Sequence, residues 1–182
     1  MKAPIVIAIS LAILAGSPEA RALCIYGGRH FTKSKGDHDF GGRMYAKTTM
    51  ADEFQDSALV VKGTVLSSRN IGLNPPNENG WGTVYSVRID RTFKGKAPPI
   101  ILDYTDRDSG GFYLGEGGDG PEYLLFLNPL EHDYWASKFA PGAYEVNYSC
   151  GQSRPWRQVS PLDANKLDAL AAQPSKKAKK SN

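Results

Sequence analysis

The 182-residue chain carries 22 Lys and Arg against 19 Asp and Glu, a net charge of +3. The excess sits at the two ends: residues 1–22 carry +1 and residues 173–182 carry +4, which leaves 23–172 at −2. A globular part without basic excess excludes an electrostatically driven nucleic-acid binder, and no stretch after residue 22 approaches the ~20 apolar residues of a membrane span.

The chain opens with Met1-Lys2, the apolar run "IVIAISLAILAG" and "ARA" at 20–22. This order reads as a secretory signal peptide cut after Ala22, against an uncleaved anchor. Leu23 directly before Cys24 argues against lipidation. Export to the periplasm or the extracellular space is therefore expected. Cys24 and Cys150 are the two cysteines of the chain, and in an oxidising compartment a pair most simply forms one disulfide. A reactive thiol is the alternative, without a local feature to support it. The mature chain divides into one domain over 23–172 and a disordered basic tail over 173–182.

Residues 25–47 are polar and glycine-rich and read as an irregular surface segment. In "TTMADEFQDS", Thr49 is placed to cap a short helix with Asp52 as its capping-box partner, and Met50 and Phe54 share one face. A strand follows over 58–68, with Gly63 marking a bulge or bend. The Asn, Pro and Gly of "RNIGLNPPNENGWG" make a loop. Over 83–95 the alternation predicts a strand with Tyr85, Val87, Ile89 and Phe93 on one face and Ser86, Arg88, Asp90 and Lys94 on the other. Another strand is expected at 99–105, then a turn at "DRDSGG", a short strand at "FYL" and a second break at "GEGGDGP". The continuous apolar run at 122–129 fits a strand buried on both faces. "LEHDYWASKFAPG" connects it to a last strand over 143–150. Finally Ser160, Pro161 and Asp163 open a helix whose buried stripe is Leu162, Leu167 and Leu170. Five strands, one bent by glycine, with a helix at each end, predict a mainly β fold: a five-stranded OB-like Greek-key barrel with a short N-terminal helix and a C-terminal helix.

Several stretches resemble netrin-like domains, the OB-fold superfamily that includes the tissue inhibitors of metalloproteinases. "FQDSALVVKGTV" resembles the family's helix running into "a-D-x-V-x-x-G-x-V". "VRIDRTFKG" resembles its second strand, which ends in an aromatic residue and "K-G". "GPEYLLFL" resembles "G-x-x-Y-L-v-F", and "CGQSRP" resembles the segment "C-x-x-T/S-R-P" that precedes the last helix. The matches run in order over about residues 50 to 170, and the bacterial secreted members look most similar. The resemblance implies an OB barrel and a bond between Cys24 and Cys150 that pins the N-terminal segment. Many members carry further cysteines, including one near the glycine turn; "DRDSGGF" has none. The resemblance also raises metalloprotease inhibition as an alternative function. In the animal inhibitors a free N-terminal cysteine chelates the protease's zinc; cleavage after Ala22 leaves Leu23 in front of Cys24, so that chemistry is not expected here.

No catalytic or metal site assembles from spacing. His30, Asp37, His38 and Asp39 cluster in a loop without a zinc motif, and Asp106 and Asp108 suit turn formation. "GQSRP" lacks the glycine of a nucleophile elbow. A small hydrolase or metal-dependent enzyme therefore remains the rival class; the expectation is a non-enzyme without cofactor or metal. Candidate binding residues are the loop aromatics Trp81, Tyr134 and Trp135, because OB-folds bind through inter-strand loops and loop aromatics offer area at low entropy cost. Arg154 and Trp156 join them, with packing of the final helix as their alternative role. The expected partner is a protein or another extracytoplasmic ligand.

Overall fold

A computed structural model describes residues 48–71, 82–106, 111–115, 118, 120–130, 138–147, 149 and 151–173. Helix α1 (Met50–Asp56) leads into β1 (Leu59–Ile71), β2 (Gly82–Lys94), β3 (Ile100–Asp106), β4 (Glu122–Pro129), β5 (Tyr144–Val146) and β6 (Arg154–Pro155), then a 3-10 turn at Trp156–Gln158 and helix α2 (Pro161–Ala171). The strands lie in the order β1-β2-β3-β5-β4, and β4 pairs back onto β1. The β3–β5 pairing is parallel and the other pairings are antiparallel. The result is a closed, mixed five-stranded barrel with a helix at each end, as the sequence predicts.

Closure depends on β1 serving two neighbours. Leu59 to Thr64 pair with β4 on one edge while Val60 to Ile71 pair with β2 on the other. Such a strand must bend, and the β1–β2 register shifts between Val60 and Val61, between Lys62 and Gly63, and between Val65 and Ser67. A Cβ at residue 63 would sit 2.6 Å from Val87 Cγ1 and 3.1 Å from the Arg88 carbonyl oxygen, so the bend needs glycine there. The shifts also correct one expectation. Phe93 is the extra residue between Val60↔Lys94 and Val61↔Thr92, and it packs outside the barrel while Tyr85 and Val87 pack inside.

Strand β4 explains the burial. Tyr123, Leu125 and Leu127 point into the barrel with Leu59, Val61, Val87 and Ile101. Leu124 and Phe126 point outward and meet Met50, Phe54, Val60, Phe93 and Leu167 under the two helices. Both faces are covered, as the unbroken apolar run predicts. The "FYL" stretch forms no strand: Leu114 is buried in the interior core, and Phe112 meets Tyr123 edge-on at 6.4 Å between ring centres.

Both capping boxes form. Thr49 and Asp52 cap α1, and Ser160 and Asp163 cap α2. Lys94 ends α1 from β2: its Nζ donates to the carbonyls of Phe54 (2.5 Å) and Gln55 (2.7 Å). The predicted stripe of α2 needs correction at one position. Leu167 is fully buried and Leu170 packs beside it, but Leu162 is 77% exposed, because a spacing of five residues from Leu167 sets it about 140° away round the helix, off the face that meets the barrel. The last strand is shorter than expected as well. Residues 144–146 pair with the end of β4, the chain leaves, and β6 returns to pair with Tyr123 and Leu124 of the same strand.

No helix among the described residues is long and apolar enough to cross a membrane. Leu167→Ala should lower unfolding free energy by about 2–5 kcal/mol, since it empties a sealed core position, whereas Leu162→Ala should stay within about 0.5 kcal/mol of the parent. Chemical denaturation of both variants checks this, and equal losses would contradict the packing of α2.

Candidate functional site

Where the chain leaves β4 between β5 and β6, it goes to a buried carboxylate. Glu53 of α1 is almost fully enclosed. Its oxygens accept the Gln152 N–H at 2.9 and 3.0 Å and the Thr48 hydroxyl. Gln152 Nε2 donates to the Thr48 carbonyl at 2.8 Å, so both ends of the contact are tied. Burial pushes the Glu53 carboxyl above its ordinary range, and the Thr48 hydroxyl, the Gln152 N–H and Arg154 draw it part of the way back. A side chain at residue 151 would overlap that carboxylate, which is why the segment carries Gly151. Ser153 then accepts the Phe126 N–H at 3.0 Å, filling the place of a missing ladder bond.

Arg154 and Trp156, two of the sequence candidates, belong to this closure. Arg154 Nη1 donates to the Gln152 carbonyl and side chain at 3.2 and 3.1 Å, and Nη2 pairs with Asp163 at 2.9 Å. Asp163 is held below the usual carboxylate range, first by the Ser160 hydroxyl and then by the Ser160 N–H and Arg154. Trp156 stacks on Phe93 at 6.5 Å, with Lys62 Nζ 4.8 Å from the indole centre. The two residues therefore pin α2 to the barrel.

A second region forms at the far end of β1 and β2. Ile71, Val84 and Tyr104 pack with Ala140 and Ala143, and Leu102 and Leu130 join them. Arg69 Nη2 donates to the Phe139 carbonyl at 2.9 Å. The described ends of two connections meet here: 72–81 leaves Ile71 and returns at Gly82, and 131–137 leaves Leu130 and returns at Lys138. The candidates Trp81, Tyr134 and Trp135 fall within those connections and lie outside the described residues; Cys24, Cys150, His30, Asp37, His38, Asp39 and Asp108, elsewhere in the chain, also lie outside them. Asp106 is described. Its carboxylate accepts the Tyr104 hydroxyl and its carbonyl accepts the Tyr113 hydroxyl at 2.9 Å, a turn-stabilising role.

The sequence reading missed Asp103. It is 0% exposed on β3, and among the described residues neither carboxylate oxygen has a hydrogen-bond partner. It pairs across the ladders with Tyr85 and with Tyr144, both of which pack on the interior core. Burial, with a smaller contribution from the Glu145 charge, raises its carboxyl well above the ordinary aspartate range. The signal was available: Asp103 shares the parity of Ile101 in "IILDYT", a charge at a core position. Among the described residues no group of three or more His, Cys, Asp or Glu is placed to hold a metal ion.

A raised carboxyl favours the protonated fold. The stability it contributes is complete below the unfolded value of about 3.9 and is lost as pH climbs toward the raised folded value, because the unfolded chain ionises first. Asp103→Asn removes that titration. The variant should be more stable than the parent at neutral pH, with the gap closing toward about pH 4. Denaturation midpoints across that range check it, and a gap that is constant with pH would show that Asp103 is ionised in the fold.

No protein-family model matches the chain, and comparison with curated proteins finds no similar sequence.

Proposed function

We propose that this chain is an exported, non-enzymatic binding module of the OB type, which holds a protein or another extracytoplasmic ligand at the barrel end where the β1–β2 and β4–β5 connections leave. One observation carries the reading: the described roots of both connections are fastened to each other, through Arg69 and Phe139 and through the cluster around Tyr104. Loops on fixed roots lose less freedom on binding, and OB-folds use these two connections for ligands. Trp81, Tyr134 and Trp135 are the proposed contact residues. Arg154 and Trp156 are engaged in holding α2, which leaves the loops as the contact surface. The resemblance to netrin-like domains supports a secreted binding role, with Cys24 bonded to Cys150 and without zinc chelation by the N-terminus.

Trp81→Ala and Trp135→Ala should each weaken capture of the extracytoplasmic partner by about tenfold or more, the scale of an aromatic hot spot, while the melting temperature stays at the parent value. Quantitative capture from the secreted or periplasmic fraction, with parent and variants side by side, checks this. Undiminished capture by both variants would remove the loops from the site. Hydrolytic turnover by the mature chain that a single substitution abolishes would replace the binding reading with an enzymatic one.

A further inference from the structure

The barrel needs only the first half of β1. Pairing with β4 ends at Thr64, and the last bond on that side is Val65 N–H to the Pro121 carbonyl at 2.8 Å. Beyond it, β1 runs on to Ile71 with β2 on one side and, among the described residues, no strand on the other. Residues 66–70 are all exposed, Leu66 to 48%. The register irregularity falls at Leu66, the first residue of this stretch; from Ser67↔Ser86 to Ile71↔Gly82 the ladder is continuous.

Opposed residues of an antiparallel ladder alternate between exchanging both main-chain bonds and exchanging none. The N–H of Val65 leaves β2, so past the bulge Ser67, Arg69 and Ile71 turn their main-chain groups to β2, and Ser68 and Asn70 turn theirs outward. An open edge of this kind templates another strand unless proline, lysine or an inward charge blocks it. "LSSRNI" carries none of these, its β-bulge is confined to Leu66 at the near end, and its one cation, Arg69, is drawn toward Phe139.

We propose that this edge, Leu66 to Asn70, takes up an extended acidic segment of a partner polypeptide as an added strand. The inference rests on the binding reading above and names the chemistry of the partner. Charge selects the occupant. A second copy using Ser68 and Asn70 would pair antiparallel about Arg69 and set two guanidinium groups face to face, which is destabilising. A carboxylate in that place completes the remaining donors of the guanidinium instead. Main-chain bonds then supply affinity and the side chain opposite Arg69 supplies selection. The edge ends at Ile71, where the 72–81 connection leaves, and lies beside Phe139, which is 43% exposed.

The test uses the full mature chain and a labelled synthetic peptide of about eight residues, the length of an ordinary strand, in which Glu alternates with Val or Thr. Binding is read by fluorescence anisotropy. The parent should bind this peptide, and an analogue N-methylated at alternate residues, or with Lys in place of Glu, should bind at least about tenfold less well, the effect of losing a few hydrogen bonds or the charge match. Ser68→Pro removes an outward N–H without touching the β2 ladder and should cost a similar factor at an unchanged melting temperature. Arg69→Glu should reverse the preference between the Glu and Lys peptides, which keeps the test valid if Ser68→Pro fails to fold. Failure of the acidic peptide to bind, equal binding of the N-methylated or Lys analogue, or full binding by a folded Ser68→Pro variant would overturn the proposal. A dimer in sedimentation that Ser68→Pro dissolves would overturn it in favour of a second copy. If Trp81→Ala abolishes partner capture while Ser68→Pro leaves it intact, strand addition fails and the loop reading survives.

Discussion

The bend in β1 at Gly63 is the constraint from which the rest of the molecule follows. One strand has to hydrogen-bond to β2 along most of its length and to β4 along its first half. A side chain at residue 63 would collide with Val87, so the fold is closed only by a residue without one. Closure gives β4 an inner face and an outer face, both apolar. The outer face then requires a cover, which α1, α2 and the Trp156 turn provide. The same bend carries the second half of β1 away from β4, and this is why a barrel without open edges in its body still ends in one.

Glu53 solves a problem created by that cover. The chain must cross from β5 to α2 over a surface that is already packed, and a crossing segment has main-chain groups that need partners. Glu53 takes the Gln152 N–H with both oxygens, Ser153 takes the Phe126 N–H, and Arg154 spans from Gln152 to Asp163. Each residue of "GQSR" answers one demand: close approach, a donor, a substitute ladder acceptor, and a cationic clasp on the capping carboxylate of the last helix.

Much of this was legible in the sequence because it depended on local order. Thr49 with Asp52 and Ser160 with Asp163 announce helix starts by spacing, and "EYLLFL" announces a strand covered on both sides. What could not be read depended on register. Phe93 changes face because the β1–β2 pairing slips beside it; Leu162, by contrast, is a matter of helical spacing alone, since five residues from Leu167 place it about 140° away round the helix. Parity puts Asp103 on the inner face of its strand, but parity alone does not say that this face is sealed. In the candidate site, the loop aromatics were visible as residue types, but the fastening of Arg69 to Phe139, 70 positions apart, is a tertiary fact.

The bipartite role of β1 also orders the assembly of the fold in time. Its pairing with β2 spans one connection and forms as a hairpin, whereas pairing with β4 joins residues some sixty positions apart, and the Glu53–Gln152 contact joins residues 99 apart. Contacts of long sequence separation are slow, because chain entropy is lost before they repay it. A hairpin that waits for its third partner exposes Leu59, Val60 and Val61 along with an unpaired strand edge, the kind of surface that aggregates. Lys62, one residue beyond those apolar positions and paired with Glu122 in the fold, puts on that edge a charge of the kind that discourages edge-to-edge association.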